Sequence, residues 1–205
     1  MSKKMNILLD LGGHKLQGVK TLFDKKEIDS NYIIYTYEAN PYVYKELTYE
    51  AKALEEQNKV KIFTFNLAVS DVDGEVFFNV DEYGLDSMGC NLLENPVNVD
   101  PVYGSKYNWK KIKVPSVSLY TIFENFKQYT FEKIKVKMDI EGAEYSVLPQ
   151  LVELKNLFNI THLYIEWHDR LFYPNHKEKQ KEMVVLKQIL NKKNIEIIDL
   201  DYVLL

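Results

Sequence analysis

The fold of this chain is decided by Asn6-Ile7-Leu8-Leu9-Asp10-Leu11-Gly12-Gly13, an apolar run that ends in an acid and two glycines. The run predicts a buried β-strand, and the two glycines predict a tight turn at its carboxyl end. Apolar side chains then recur with helical spacing at Leu16, Val19, Leu22 and Phe23. The chain therefore opens with a strand, a glycine turn and a helix, which is the first part of a βαβ unit.

Strands and helices continue to alternate along the chain. We predict further strands over residues 32–37, 60–69, 133–140, 162–167 and 195–205. This alternation predicts an α/β fold with an open, mostly parallel sheet and helices on both faces. The exception is an insertion at about 75–118, where a strand pair (75–80 and 112–117) flanks a long polar loop. Such a loop in a compact domain is typical of a lid, a binding element or a disordered segment.

Composition limits the class of protein. The chain has 205 residues, 46% of them hydrophobic, so we expect one globular domain over residues 1–205, either alone or excised from a longer chain. The net charge of −4 argues against a nucleic-acid partner, and no apolar run approaches the ~20 residues needed to cross a membrane. Because the N-terminus lacks the apolar segment of a signal peptide and Cys90 is the single cysteine, we expect a cytoplasmic protein.

Two predicted strands end in residues that suit a nucleoside. Asp10, Gly12 and Gly13 follow the first strand, and Glu38-Ala39-Asn40-Pro41 follows the second. In open parallel sheets ligands bind at the carboxyl ends of the strands, where a carboxylate can accept hydrogen bonds from both ribose hydroxyls. Taken singly, the glycines could form a plain turn and Glu38 could be a helix cap or a solvent-facing residue. Together they favour a nucleoside cofactor.

The most specific stretch of the sequence follows the fourth predicted strand. It is Val136-Lys137-Met138-Asp139-Ile140-Glu141-Gly142-Ala143-Glu144, with Val147-Leu148 behind it. Further segments of the same kind are Leu9-Asp10-Leu11-Gly12-Gly13, Tyr37-Glu38-Ala39-Asn40-Pro41, Asn66-Leu67-Ala68-Val69-Ser70-Asp71, Gly74-Glu75-Val76, Val117-Ser118-Leu119 and Leu163-Tyr164-Ile165-Glu166-Trp167-His168. Together they resemble the FkbM-type family of S-adenosylmethionine (SAM)-dependent methyltransferases, and the resemblance covers nearly the whole chain.

The resemblance implies a Rossmann-like class I methyltransferase fold, SAM as methyl donor and, as the usual acceptor, a hydroxyl of a sugar, glycan or similar polyhydroxylated small molecule. It implies that Asp10, Gly12 and Gly13 face the methionine part of SAM and that Glu38 holds the ribose. The remaining predicted cofactor residues are Asn66, Leu67 and Ala68 beside the adenine, together with His14, Ala39, Asn40, Ser87 and Asp139. The loop His14-Lys15-Leu16-Gln17-Gly18 is bulkier than expected for the family, and residues 83–111 match little beyond Leu85-Asp86-Ser87-Met88.

Methyl transfer to an alcohol needs a group that manages the proton. A positioned base or an acidifying metal ion can do this. Asp139, Glu141 and His168 are the predicted catalytic residues, each a candidate base near a strand end. Asp139 and Glu166 are the predicted ligands of Mg²⁺ or another divalent cation, in which case His168 serves as the base. Alternatively, Glu141 and Glu144 only stabilise the start of a helix.

Other readings of the site stay open at the sequence level. The acceptor could be an amine or a carboxylate, or the domain could keep the fold without catalysis. The glycine spacing disfavours a nicotinamide enzyme. The inserted loop holds Tyr83, Tyr103, Tyr107 and Trp109, which could stack on a sugar or pack the loop onto the domain. Fusion to glycosyltransferase domains in a longer chain is also compatible with the sequence.

Overall fold

A computed structural model of the protein describes residues 5–87, 89–100 and 104–200. Within these residues the elements, in chain order, are β1 (Met5–Leu11), α1 (Gln17–Asp24), β2 (Tyr32–Tyr37), α2 (Pro41–Asn58), β3 (Lys61–Phe65), β4 (Ala68–Ser70), β5 (Gly74–Asp81), β6 (Trp109–Ser118), α3 (Leu119–Glu124), β7 (Phe131–Met138), α4 (Glu144–Leu154), β8 (Ile160–Ile165), α5 (His176–Lys192) and β9 (Glu196–Asp199). A short 3₁₀ turn, Asp169–Phe172, lies between β8 and α5.

Six strands form the main sheet, in the order β3-β2-β1-β7-β8-β9. Every neighbouring pair in this sheet is parallel. The order reverses between β1 and β7, and such a switch point opens a crevice at the carboxyl ends of the two strands. The predicted open, parallel α/β sheet is confirmed.

Helices cover both faces of the sheet because the strands are apolar on both sides. One core contains Leu8 of β1, Val19 of α1 and Leu47 of α2. The other contains Leu9 of β1 and Val147 of α4, together with side chains of α3 and α5. Adjacent residues of one strand thus enter opposite cores, as the alternation of side chains along a strand requires. The prediction of helices on both faces is confirmed.

A second, smaller sheet has the order β4-β6-β5. The predicted strand pair is confirmed, since β5 and β6 pair antiparallel over nearly their whole length. The single strand predicted at 60–69 is wrong, because the chain leaves the main sheet at Asn66 and Leu67 and enters the small sheet as β4. The last predicted strand, 195–205, is β9 over its described part, and residues 201–205 lie outside the described residues.

The loop between β5 and β6 is tied to the turns that follow β1 and β2. Asn40 Nδ2 donates to the carbonyl oxygen of Leu85 at 2.7 Å. A ring nitrogen of His14 lies 3.1 Å from the carbonyl oxygen of Asp86, and Lys15 pairs with the Asp86 carboxylate at 3.3 Å. The inserted loop therefore lies over the carboxyl edge of the main sheet.

Among the described residues, no helix combines the length and apolar character that a membrane span requires.

Gly12 fixes the approach of the first turn to β7. Its φ is +81°, and a Cβ at this position would collide with the carbonyl oxygen of Asp139. The amides of Gly12 and Gly13 both donate to the carbonyl oxygen of Tyr37, at 3.0 and 2.9 Å. The turn is thus closed against β2 and β7 together, which only glycine permits at position 12.

We predict that Gly12→Ala lowers the free energy of unfolding by at least about 1 kcal/mol, because it combines an unfavourable φ with a backbone collision. Gly84→Ala is the control, since the nearest atom to its added Cβ is 3.9 Å away. Urea unfolding followed by circular dichroism measures both variants. Equal stability of the two variants would contradict the close approach of Gly12 to Asp139.

Candidate functional site

A cavity of about 920 Å³ lies between the carboxyl edge of the main sheet and the inserted loop. Ten of the predicted cofactor residues line it: Gly12, Gly13, His14, Glu38, Ala39, Asn40, Leu67, Ala68, Ser87 and Asp139. Glu141 and Glu166 line it as well. The structure therefore brings the ends of β1, β2, β7 and β8 together around one space, of a size typical for small-molecule sites.

Glu38 is held rigidly at the end of β2. Its Oε2 accepts from the amide of His14 at 2.7 Å, and its Oε1 accepts from the amide of Asn40 at 2.7 Å. Burial raises the pKa of Glu38, while these two amides oppose the rise. An ionised carboxylate offers about four acceptor positions, so two remain for a ligand. The group can accept hydrogen bonds from two neighbouring hydroxyls in the cavity.

Asp10 and Asn66, which were predicted to contact the cofactor, are not among the described residues that line the cavity. Asp10 is fully buried, and its Oδ2 accepts from the hydroxyl of Thr36 at 2.6 Å. Asn66 Nδ2 donates to the carbonyl oxygen of Glu38 at 2.8 Å. Asp10 thus bonds to β2 next to β1, and Asn66 bonds to the backbone of the turn that carries Glu38.

Sequence analysis missed Lys137, the buried cation at the centre of the site. Its Nζ donates to the carbonyl oxygen of Gly12 at 2.6 Å and pairs with Asp10 Oδ1 at 3.2 Å and Asp139 Oδ2 at 3.4 Å. Burial disfavours the ammonium ion, but Asp10 and Asp139 outweigh it and hold the pKa of Lys137 above its usual range. A lysine inside a strand predicted to be buried was the available signal, because such a charge is found paired.

A second polar junction surrounds His168, which is fully buried and does not line the cavity. Its Nδ1 lies 2.8 Å from Glu144 Oε1. Its Nε2 lies 3.3 Å from Glu166 Oε1, 3.4 Å from Glu141 Oε2 and 3.8 Å from Asp139 Oδ1. The junction therefore joins the ends of β7 and β8 to the first turn of α4.

Glu144 fixes the turn that carries the acids. Its Oε1 accepts from the amide of Ile140 at 2.9 Å, and its Oε2 accepts from the amide of Gly142 at 2.8 Å. Between them, Glu141 has a φ of +49°, an uncommon conformation for a residue with a side chain. Glu144 thus does more than interact with the helix dipole, because it holds a strained turn and contacts His168.

Charge and burial shift the pKa values at this junction in opposite directions. Burial raises the pKa of Glu141 to about 8; His168 opposes the rise and the neighbouring carboxylates add to it. His168 lowers the pKa of Glu166 against its burial. Burial alone would lower the pKa of His168, but Glu141 and Glu144 outweigh it and hold it well above 6.5.

The inserted loop adds a polar wall that the sequence did not predict. Arg170 Nε lies 3.3 Å from Asp100 Oδ2, and Arg170 Nη2 lies 3.6 Å from Glu166 Oε1. Tyr107 lines the cavity and stacks on Trp109 with ring centroids 4.6 Å apart. Of the other predicted loop aromatics, Tyr83 is largely exposed and outside the cavity lining, and Tyr103 lies outside the described residues.

We predict that Lys137→Met lowers the free energy of unfolding by about 3–5 kcal/mol, because it leaves the buried Asp10 and the partly buried Asp139 without their cation. Lys133→Met, on an exposed position of the same strand, is the control and is expected to change stability by less than about 0.5 kcal/mol. Urea unfolding measures both. Similar unfolding midpoints for the two variants would mean that the buried pairs do not hold the strand ends together.

Comparison with known proteins agrees with this arrangement. The family model of the methyltransferase FkbM domain matches residues 10–188. No curated protein and no solved structure matches the chain significantly. The match begins at Asp10 in β1 and includes the residues described above around Lys137 and around His168. The chain therefore belongs to the FkbM-domain family of methyltransferases, as its sequence motifs predicted.

Proposed function

We propose that this protein transfers a methyl group from SAM to a hydroxyl of a sugar, a glycan or a similar polyhydroxylated small molecule. The observation that carries the proposal is a single cavity with Glu38 on one side and Asp139, Glu141 and Glu166 on the other. The side with Glu38 suits a nucleoside, and the side with the three acids suits an acceptor group that gives up a proton. A methyl donor and an acceptor can then meet in one enclosed space.

The nucleoside side fits SAM through its hydrogen-bonding groups. The free acceptor positions of Glu38 match the two ribose hydroxyls, and the backbone of Gly13 and Ala39 borders the same space without a large side chain. SAM supplies a methyl group already activated on a sulfonium ion. What remains for the protein is to align the acceptor, which contributes up to ~7–11 kcal/mol in well-oriented systems, and to receive one proton.

Glu141 is the proposed proton acceptor, and it acts in its ionised form. Its pKa of about 8 makes that form predominant only above this pH, where it is a stronger base than an ordinary carboxylate. Its carboxylate lines the cavity, whereas Asp139 pairs with Lys137 through Oδ2. The sequence-based role of His168 as base does not fit its position, because the ring is fully buried and reaches the acceptor only through Glu141 or Glu166. We therefore assign His168 no direct part in receiving the proton. As the acceptor oxygen bonds to the methyl carbon, the carbon–sulfur bond breaks and the hydroxyl proton passes to Glu141.

The proposal keeps a divalent cation but changes the ligands, which the sequence predicted to be Asp139 and Glu166. Glu166 faces Arg170 at 3.6 Å and His168 at 3.3 Å, so its charge is shared with those two groups. Asp139, Glu141 and His168 each offer one ligand atom, and these three atoms lie within 4.8 Å of one another. They are the ligand set that replaces Asp139 and Glu166.

We predict that Glu38→Gln weakens binding of S-adenosylhomocysteine about tenfold or more, because the amide keeps the size of the side chain but loses its charge. Glu56→Gln, at an exposed position of α2, is the matched control and should bind like the unaltered protein. Calorimetric titration gives the dissociation constants. An unchanged affinity in Glu38→Gln would show that Glu38 does not bind the ribose. No binding of S-adenosylhomocysteine to the unaltered protein would reject SAM as the donor.

We predict that Glu141→Gln lowers the rate of methyl transfer to a sugar acceptor about 10²–10⁴-fold while S-adenosylhomocysteine binds as before. The assay uses methyl-labelled SAM with a panel of sugars and glycans. Glu94→Gln, at an exposed position of the inserted loop, is the control. A rate in Glu141→Gln close to that of Glu94→Gln would show that another group receives the proton.

A further inference from the structure

His168 presents a buried ring nitrogen that lacks a hydrogen-bond partner. Its side chain is fully buried, and Nε2 makes no hydrogen bond within the described part of the chain. The same atom faces the carboxylate oxygens of Asp139, Glu141 and Glu166 at 3.3–3.8 Å. A buried nitrogen aimed into a group of carboxylates, at distances longer than a good hydrogen bond, leaves room for a cation between them.

We propose that Asp139, Glu141 and His168 bind one divalent transition-metal ion at the acid end of the cavity. The inference rests on the proposed function for its role, although the site itself is argued from the geometry alone. The sequence predicted two carboxylate ligands, Asp139 and Glu166. The proposed site instead has one nitrogen ligand, from His168, and two oxygen ligands, from Asp139 and Glu141.

The two distances from His168 Nε2 to the carboxylates of this set are close to those around a common metal ion. Metal bonds of about 2.1 Å in a tetrahedral arrangement place neighbouring ligand atoms about 3.4 Å apart. His168 Nε2 lies 3.4 Å from Glu141 Oε2 and 3.8 Å from Asp139 Oδ1. Once metal binding has displaced the proton of Nε2, two carboxylates and a neutral imidazole balance the charge of a divalent ion. The mixture of nitrogen and oxygen ligands favours an ion such as Mn²⁺ or Zn²⁺ over Mg²⁺, which prefers oxygen.

The surrounding residues orient the proposed ligands. Glu144 Oε1 faces Nδ1 of His168 at 2.8 Å, which favours a proton on Nδ1, so Nε2 is the nitrogen that would release its proton and bind the ion. Lys137 pairs with the other oxygen of Asp139, Oδ2, so Oδ1 keeps its direction toward His168. A carboxylate behind a ligating histidine is a recurrent feature of protein metal sites.

The site has an open side toward the cavity, because Asp139 and Glu141 line it whereas His168 does not. Three protein ligands with an open position are typical of catalytic rather than structural metal sites. An ion held there would acidify the acceptor hydroxyl. Glu141 faces His168 through Oε2, and its Oε1 stays available for the proton.

Equilibrium dialysis with elemental analysis tests the site in the ligand-free protein. We expect one Mn²⁺ or Zn²⁺ per chain after removal of bound metal with a chelator. His168→Gln should lose this binding, and Glu144→Gln should weaken it about 10–100-fold through the lost orientation of the ring. His162→Gln is the matched control, because it makes the same change on β8 at a half-buried position beside Glu196. It should bind the metal like the unaltered protein.

Asp139→Asn keeps the test decisive if His168→Gln does not fold, because the Asp139 side chain is a quarter exposed. The proposal is overturned if neither ion binds the unaltered protein, or if both His168→Gln and Asp139→Asn bind as tightly as His162→Gln. Titration with S-adenosylhomocysteine in the presence of chelator is run in parallel. Cofactor binding without metal binding rejects this inference alone, whereas metal binding without cofactor binding rejects the proposed function.

Discussion

The buried ion pairs of Lys137 are the constraint on which the rest of the structure depends. One ammonium group contacts Gly12, Asp10 and Asp139, and so joins the first turn to the ends of β1 and β7. These are the two strands at the switch point of the sheet. Because a buried charge is costly unless it is paired, the three chain segments can separate only at a high energetic cost. The floor of the cavity is therefore fixed before any ligand binds.

Asp139 connects Lys137, at the base of the cavity, to the residues around the proposed proton acceptor. Its Oδ2 faces Lys137, and its Oδ1 faces His168, which in turn contacts Glu144 at the start of α4. The Asp139 carboxylate is therefore oriented by its pair with Lys137 before a ligand binds. Preorganised charges of this kind are a large contribution to catalysis, since they need no rearrangement during the reaction. The inserted loop completes the enclosure through Asp100, which pairs with Arg170 beside Glu166.

The sequence predicted those features that depend on local pattern. Apolar periodicity located the strands of the main sheet, and the strand-end rule placed Glu38 and Asp139 at one cavity. It did not predict Lys137, because its partner Gly12 is 125 positions away and no local pattern links the two. It also did not predict that His168 lies outside the cavity lining, because strand alternation shows which way a side chain points but not how deeply later elements bury it.

The central claim is that one cavity holds a SAM-derived cofactor at Glu38 and an acceptor beside Glu141. The most direct measurement is a crystal structure of the protein with S-adenosylhomocysteine. The account predicts that the ribose hydroxyls donate to Glu38 and that the sulfur lies on the side of the cavity bounded by Asp139. A cofactor bound elsewhere, or bound with its ribose away from Glu38, would contradict it.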